Sequence, residues 1–128
     1  MFTLNGNDYN TPDGTCVRDY LHVEDIANAH YLSTLYTDSM APGSSVEFNL
    51  GSGKGVSIKE IIASVERITG RMVLIHTGPK RAGDPATLVA SAQKFKIASG
   101  WKPEASNIDT IVRSAWAWYN SPLYKDQA

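Results

Sequence analysis

The sequence predicts a mixed α/β domain, and three observations carry that expectation. Two segments place apolar residues at helical spacing behind an acidic capping signal, Ser57-x-x-Glu60 and Ser106-x-x-Asp109. Short runs of β type fall between helical segments, the order of a mixed sheet with flanking helices. Glycine- and proline-rich stretches mark the junctions.

Taken in order, residues 1–4 read as a strand. Thr11-Pro12-Asp13-Gly14 is a turn, because proline presets φ and glycine accepts positive φ. Apolar and polar residues alternate over 16–23, the pattern of a half-buried strand. Glu24 and Asp25 favour a helix N-terminus, so a helix is predicted from about 24 to 38, with Ile26, Ala27, Ala29, His30 and Leu35 on its apolar face. Residues 42–45 form a loop and 46–50 a strand. The helix opened by Ser57 buries Ile58, Ile61, Ile62, Val65 and Ile68 and is closed by Gly70. A strand over 72–76, an irregular loop over 78–85 and a short strand over 87–90 follow. Ser91 caps a short helix ending at Gly100, and the last helix turns Ile108, Ile111, Val112, Ala115, Trp116 and Tyr119 inward. Met72 and the three tryptophans read as core, with one of Trp116 and Trp118 partly exposed, since they cannot share a helix face.

Composition bounds the function. A length of 128 residues suits one domain with its own apolar core. A net charge of −1 gives no reason to expect nucleic acid or an anionic membrane as partner. The single Cys16 allows no internal disulfide, and no apolar run approaches membrane-spanning length, so a cytoplasmic protein is expected. His22, His30 and His76 are scattered and there is no cysteine pair, so no metal site is expected.

Two glycine-shaped loops invite an anion. The first, Gly51-Ser-Gly-Lys-Gly55, has the setting of a nucleotide loop, but Val56 stands where a dinucleotide fingerprint needs glycine, and the P-loop pattern is absent. A plain turn is the better reading, and no cofactor-binding residue is assigned. The second, Lys80-Arg81-Ala-Gly-Asp84-Pro85, admits two readings: a phosphate clamp with an aspartate for ribose hydroxyls, or an internal Arg81–Asp84 ion pair. Arg18, just after the turn, is a further candidate for a phosphate or carboxylate. Asp19, His22, Glu24 and Asp25 run from a strand into a helix, so their side chains diverge. No tyrosine is followed four residues on by lysine, no Gly-x-Ser-x-Gly occurs, and no catalytic residue is assigned.

Gly6-Asn-Asp-Tyr9, the run from Thr11 to Asp25 containing Val17-Arg18-Asp19-Tyr20, Phe48-Asn-Leu-Gly51, Arg81-Ala-Gly-Asp-Pro-Ala86, Gly100-Trp-Lys-Pro103 and the closing Ile111-Val-Arg-Ser-Ala-Trp116-Ala-Trp118 together resemble the UDP-glucose 4-epimerases of the extended short-chain dehydrogenase/reductase family. The resemblance covers essentially the whole chain and only the C-terminal part of the enzyme. It implies that residues 1–128 form a single C-terminal UDP-sugar-binding domain, a fragment whose N-terminal Rossmann half lies elsewhere. In the family that half binds NAD and carries a tyrosine–lysine pair, and the enzyme interconverts UDP-glucose and UDP-galactose, often as a homodimer. The resemblance implies that Arg18 and Arg81 contact the diphosphate, that Asp84 contacts the uridine ribose, and that Thr3 and Asn5 border the uracil. Leu88 stands where some members have a tyrosine near the sugar, Asn5 replaces a usual aromatic, and Lys80 replaces the usual first arginine. With neither the NAD loop nor the catalytic pair, the chain alone is expected to bind no NAD and to be inactive. The alternatives are a non-catalytic UDP-sugar-binding module or remnant, or a fragment of a sister nucleotide-sugar epimerase or dehydratase.

Overall fold

The computed structural model describes residues 1–125. Among the described residues, two small sheets and five helices make up the mixed α/β architecture. Strand β1 (Phe2–Asn5) pairs in parallel with β4 (Ile75–Gly78), placing Asn5 opposite Gly78. In the second sheet, β2 (Val17–Asp19) lies between β3 (Gly55–Ser57), antiparallel to it, and β5 (Thr87–Leu88), parallel to it. The helices are α1 (Val23–Thr37), α2 (Ile58–Thr69), α3 (Gln93–Ser99), α4 (Ile108–Tyr119) and α5 (Pro122–Lys125).

The apolar core forms where α1 meets α3. Ala29, Ala92, Phe95 and Trp101 are buried there, with Leu21, Leu32, Phe48 and Leu50 packed around them. Trp101 is 1% exposed, and its indole Nε1–H donates to the Asp25 carbonyl at 2.9 Å, so the ring is buried without an orphaned donor. Beside it the Asp25 carboxylate accepts from the Glu104 and Ala105 amides and from the Ser106 hydroxyl. Helix α2 packs on α4, and Asp109 ties the two by accepting from Ser64 and Arg67.

The capping box at Ser57 is present with both of its bonds, and Gly70 and Gly100 close α2 and α3 in the left-handed conformation. Several expected features differ. The strand expected over 16–23 is only three residues long, because β3 and β5 pair with it no further and His22 then opens α1, its Nδ1 accepting the Glu24 amide proton. Helix α1 turns Asp25, Ala29 and Leu32 inward and leaves Ala27, His30 and Leu35 exposed, because its apolar residues lie on several sides and the α3 contact selects one. Residues 46–50 form no strand, having no ladder partner among the described residues; Phe48 and Leu50 pack on the core instead. The strand expected over 72–76 shifts to Ile75–Gly78 to match β1, leaving Met72 outside the core at 83% exposure. β5 stops at Leu88. Ser91 does not cap α3, and Asn107 rather than Ser106 caps α4, since the Ser106 hydroxyl is committed to Asp25. Trp118 and Tyr119 are both about half exposed.

Candidate functional site

A cleft of about 280 Å³ opens between the two sheets, lined from β1, the start of β2, the first residue of α2 and the loop after β4. The fold brings these pieces together for local reasons. Asp13 Oδ1 accepts from the Thr15 amide at 2.8 Å and its hydroxyl at 2.7 Å, and the other carboxylate oxygen accepts from Ser57. This locks the Thr11–Gly14 turn onto the start of α2. Gly14 (φ 80°) is required there, since a Cβ would lie 2.2 Å from the Asn7 carbonyl oxygen. Burial raises the Asp13 pKa, but the Ser57 and Thr15 hydrogen bonds outweigh it and hold the carboxyl below its usual range. The turn delivers the chain into β2, and Arg18 follows at its second residue.

Arg18 is fixed at two points. Its Nη1 donates to the Val17 carbonyl at 2.8 Å, and its Nη2 donates to Asp84 Oδ1 at 2.5 Å. The two residues are 66 apart in sequence and meet because β5 runs parallel to β2, with Val17 opposite Thr87 and the Val17 amide bonded to the Ala86 carbonyl at 2.8 Å. Arg81 has a different partner. The Asn5 amide, oriented with its oxygen toward the guanidinium, accepts from Arg81 Nη2 at 3.0 Å and Nε at 3.2 Å. Pairing of β1 with β4 causes this meeting, since Asn5 and Gly78 are register partners and the Arg81 loop leaves directly from Gly78.

Of the residues singled out in the sequence, Thr3, Asn5, Arg18, Arg81 and Asp84 all line this one cleft. Leu88 does not line it; it is 60% exposed on β5, opposite Arg18 in the β2–β5 register. Of the two sequence readings of the 80–85 loop, the internal Arg81–Asp84 ion pair is not what the fold shows. An internal ion pair forms, but it joins Asp84 to Arg18 and leaves Arg81 to Asn5. Lys80 turns away, its Nζ bonded to the Asp8 carbonyl and held 4.8 Å over the Tyr9 ring. Cys16 and Ile58 also line the cleft and were not foreseen; the only available sign was their position beside Arg18 and Ser57. Tyr20 follows the same strand, and burial pushes its phenol pKa up, with Arg18 drawing it back.

The other glycine-shaped loop is occupied by the protein itself. Asp19 accepts from the Ser52 amide at 2.9 Å, the Ser52 hydroxyl at 2.6 Å, the Gly53 amide at 3.0 Å and the Ala90 amide at 3.3 Å. Gly51 is needed for this approach, since a Cβ would come within 2.6 Å of Asp19 Oδ2. Burial raises the Asp19 pKa, yet the donors from Ser52, Gly53 and Ala90 outweigh it and hold the carboxyl low. The side chains of the 19–25 cluster largely diverge: Asp19 to this loop, His22 to Ser114 at 2.7 Å, Asp25 to residues 104–106, and Glu24 mostly to solvent with its carboxylate 3.9 Å from His22 Nδ1.

No protein-family model matches the chain. It is 46% identical over 114 residues to a UDP-glucose 4-epimerase of Halalkalibacterium halodurans, covering 89% of this chain and 34% of that protein. It superposes on the UDP-glucose 4-epimerase of Stenotrophomonas maltophila, solved with NAD and formylated UDP-arabinopyranose, with a TM-score of 0.88 at 35% identity, over 100% of this chain and 37% of that one. The Bifidobacterium longum UDP-glucose 4-epimerase, solved with NAD+ and UDP, gives a TM-score of 0.84 at 36% identity, over 95% and 35%. The chain therefore spans about a third of the length of the relatives it matches, and corresponds to their C-terminal part.

Proposed function

We propose that the chain supplies the UDP-sugar site of an NAD-dependent UDP-glucose 4-epimerase, the isomerase that interconverts UDP-glucose and UDP-galactose. The observation that supports this reading is the convergence of Thr3, Asn5, Arg18, Arg81 and Asp84 on one cleft. Two guanidinium groups and one carboxylate give the cleft an excess of positive charge, suited to a diphosphate. Arg18 and Arg81 hold the diphosphate oxygens. Asp84 keeps Arg18 in place and has its remaining acceptor capacity for a ribose hydroxyl. Thr3 and Asn5 border the base, and Leu88 stands toward the sugar. Residues 1–128 act as one domain that grips the nucleotide end.

An epimerase that must let its sugar turn gains from this division. Binding energy is placed on the remote diphosphate, and the reacting ring stays loosely held. The described residues do not fit NAD: the one loop with the setting of a dinucleotide site has its amides taken by Asp19. NAD and the proton-abstracting residues belong to the remaining two-thirds of the relatives. Among the described residues, no helix is long and apolar enough to cross a membrane. A cytoplasmic, homodimeric enzyme without nucleic-acid or membrane partners completes the reading.

Calorimetry of the chain with UDP, UDP-glucose and UMP tests it. UDP and UDP-glucose should bind with similar affinity and UMP at least about tenfold more weakly, since it lacks one of the two clamped phosphates. Absence of UDP binding, or equal binding of UMP, would overturn the assignment.

A further inference from the structure

The cleft contains a thiol that the functional reading above gives no role. Cys16 is 7% exposed and lines the cleft next to Arg18. Its Sγ donates to Asp84 Oδ2 at 3.7 Å, while Arg18 holds the opposite oxygen, Oδ1. The carboxylate is thus gripped on both oxygens, by a charged donor on one side and a neutral one on the other. Near the thiol lies Tyr9, 8% exposed, whose buried hydroxyl has no hydrogen-bond partner among the described residues. The neighbouring thiol first, then burial, push the Tyr9 pKa up.

We propose that Cys16 is a positioning residue of the nucleotide-sugar cleft, which rests on the functional reading above. Without the thiol, Asp84 is held at one oxygen only and can rotate about its χ2. Arg18 then keeps its Nη1 anchor on the Val17 carbonyl but loses a fixed carboxylate at Nη2. The thiol therefore fixes the direction in which Arg18 presents its remaining donors. It touches no reacting group, so its contribution is to binding.

Calorimetric titration with UDP of the chain and of its Cys16→Ser, Cys16→Ala, Asp84→Asn and Arg18→Ala variants tests this. Cys16→Ala should weaken UDP binding about fivefold, the worth of one weak hydrogen bond, and Cys16→Ser should restore it to within about twofold. In the Asp84→Asn background, Cys16→Ala should have no further effect. Equal losses in Ser and Ala, or additivity with Asp84→Asn, would show a packing role and overturn the proposal. A measurement on the unmutated chain covers the case of variants that do not fold. Saturating UDP should slow alkylation of Cys16, its only thiol, by iodoacetamide at least about fivefold, because the thiol lines the occupied cleft. UDP binding with an unchanged alkylation rate would also sink the idea. Unimpaired binding by Arg18→Ala, or no binding by the unmutated chain, would instead remove the reading on which it rests.

Discussion

Two loops in this chain look alike in sequence and have opposite fates. Gly51–Gly55 and the loop over 78–85 both combine glycine with a cation and a strand on one side. In the first, Asp19 takes the Ser52 and Gly53 donors, and the loop is closed. In the second, Arg81 rests on a neutral amide and Arg18 on one oxygen of Asp84, so donors remain for a ligand. The lesson is that a loop's capacity to bind an anion depends on whether the protein has already supplied one. Asp25 makes the same point, as a carboxylate whose bonds to Glu104, Ala105 and Ser106 are purely internal.

The difference can be broken from either side. Removing the internal anion should have the largest effect: Asp19→Ala leaves the Ser52, Gly53 and Ala90 donors without their acceptor. It should cost about 3 kcal/mol, seen as a fall of roughly 10 °C in Tm by calorimetric melting, with UDP affinity unchanged at temperatures where the chain is folded. Arg18→Ala should do the reverse. UDP binding should weaken about thirtyfold, near 2 kcal/mol, since a charge-assisted contact to phosphate is lost. The melt should move little, because the Arg18–Asp84 pair is partly exposed, at 21% and 28%. Arg81→Ala should weaken UDP by about tenfold, less than Arg18→Ala, because its partner Asn5 is neutral and is left with no uncompensated charge. A variant that lost stability and binding together would erase the distinction between the loops.

Acid should act on the closed loop in a defined direction. Hydrogen bonds hold Asp13 and Asp19 below the usual carboxylate range, so the unfolded chain binds their protons more readily. Their stabilisation is complete above the ordinary aspartate pKa of about 4 and is lost as pH falls through the lower folded values. Melting temperatures should thus fall below about pH 4, and Asp19→Asn should shallow that fall; an unchanged acid limb would contradict the role given to Asp19. The smallest effect is expected at Leu88, outside the cleft lining. Leu88→Ala should change UDP affinity less than about twofold, because UDP lacks the sugar that Leu88 stands toward, and any larger change would move the cleft's boundary toward β5.

Much of the molecule was legible one residue at a time. The Thr11–Gly14 turn, the Ser57–Glu60 capping box and the αL closures at Gly70 and Gly100 follow from local chemistry, because each is settled within a few residues of chain. Among the residues that line the cleft, Arg18, Arg81 and Asp84 stood out by residue type and loop setting, whereas Thr3 and Asn5 came only through the longer pattern that carries the likeness to the epimerases. What failed did so where a distant partner decided. The shift of β4 depends on β1, the burial face of α1 on α3, and the unpaired state of residues 46–50 on a ladder partner that the described residues do not supply.

By itself, then, the sequence determined the caps, the turns and the identity of the charged groups, since these depend on short-range sterics and hydrogen bonding. Tertiary structure alone decided which charge meets which. Arg81 and Asp84 are neighbours in sequence, yet Asp84 pairs with Arg18 and Arg81 with Asn5, because two parallel strand pairings carry those groups across 66 and 76 residues. The same long-range placement puts Asp19 inside the Gly51–Gly55 loop and leaves the other loop open.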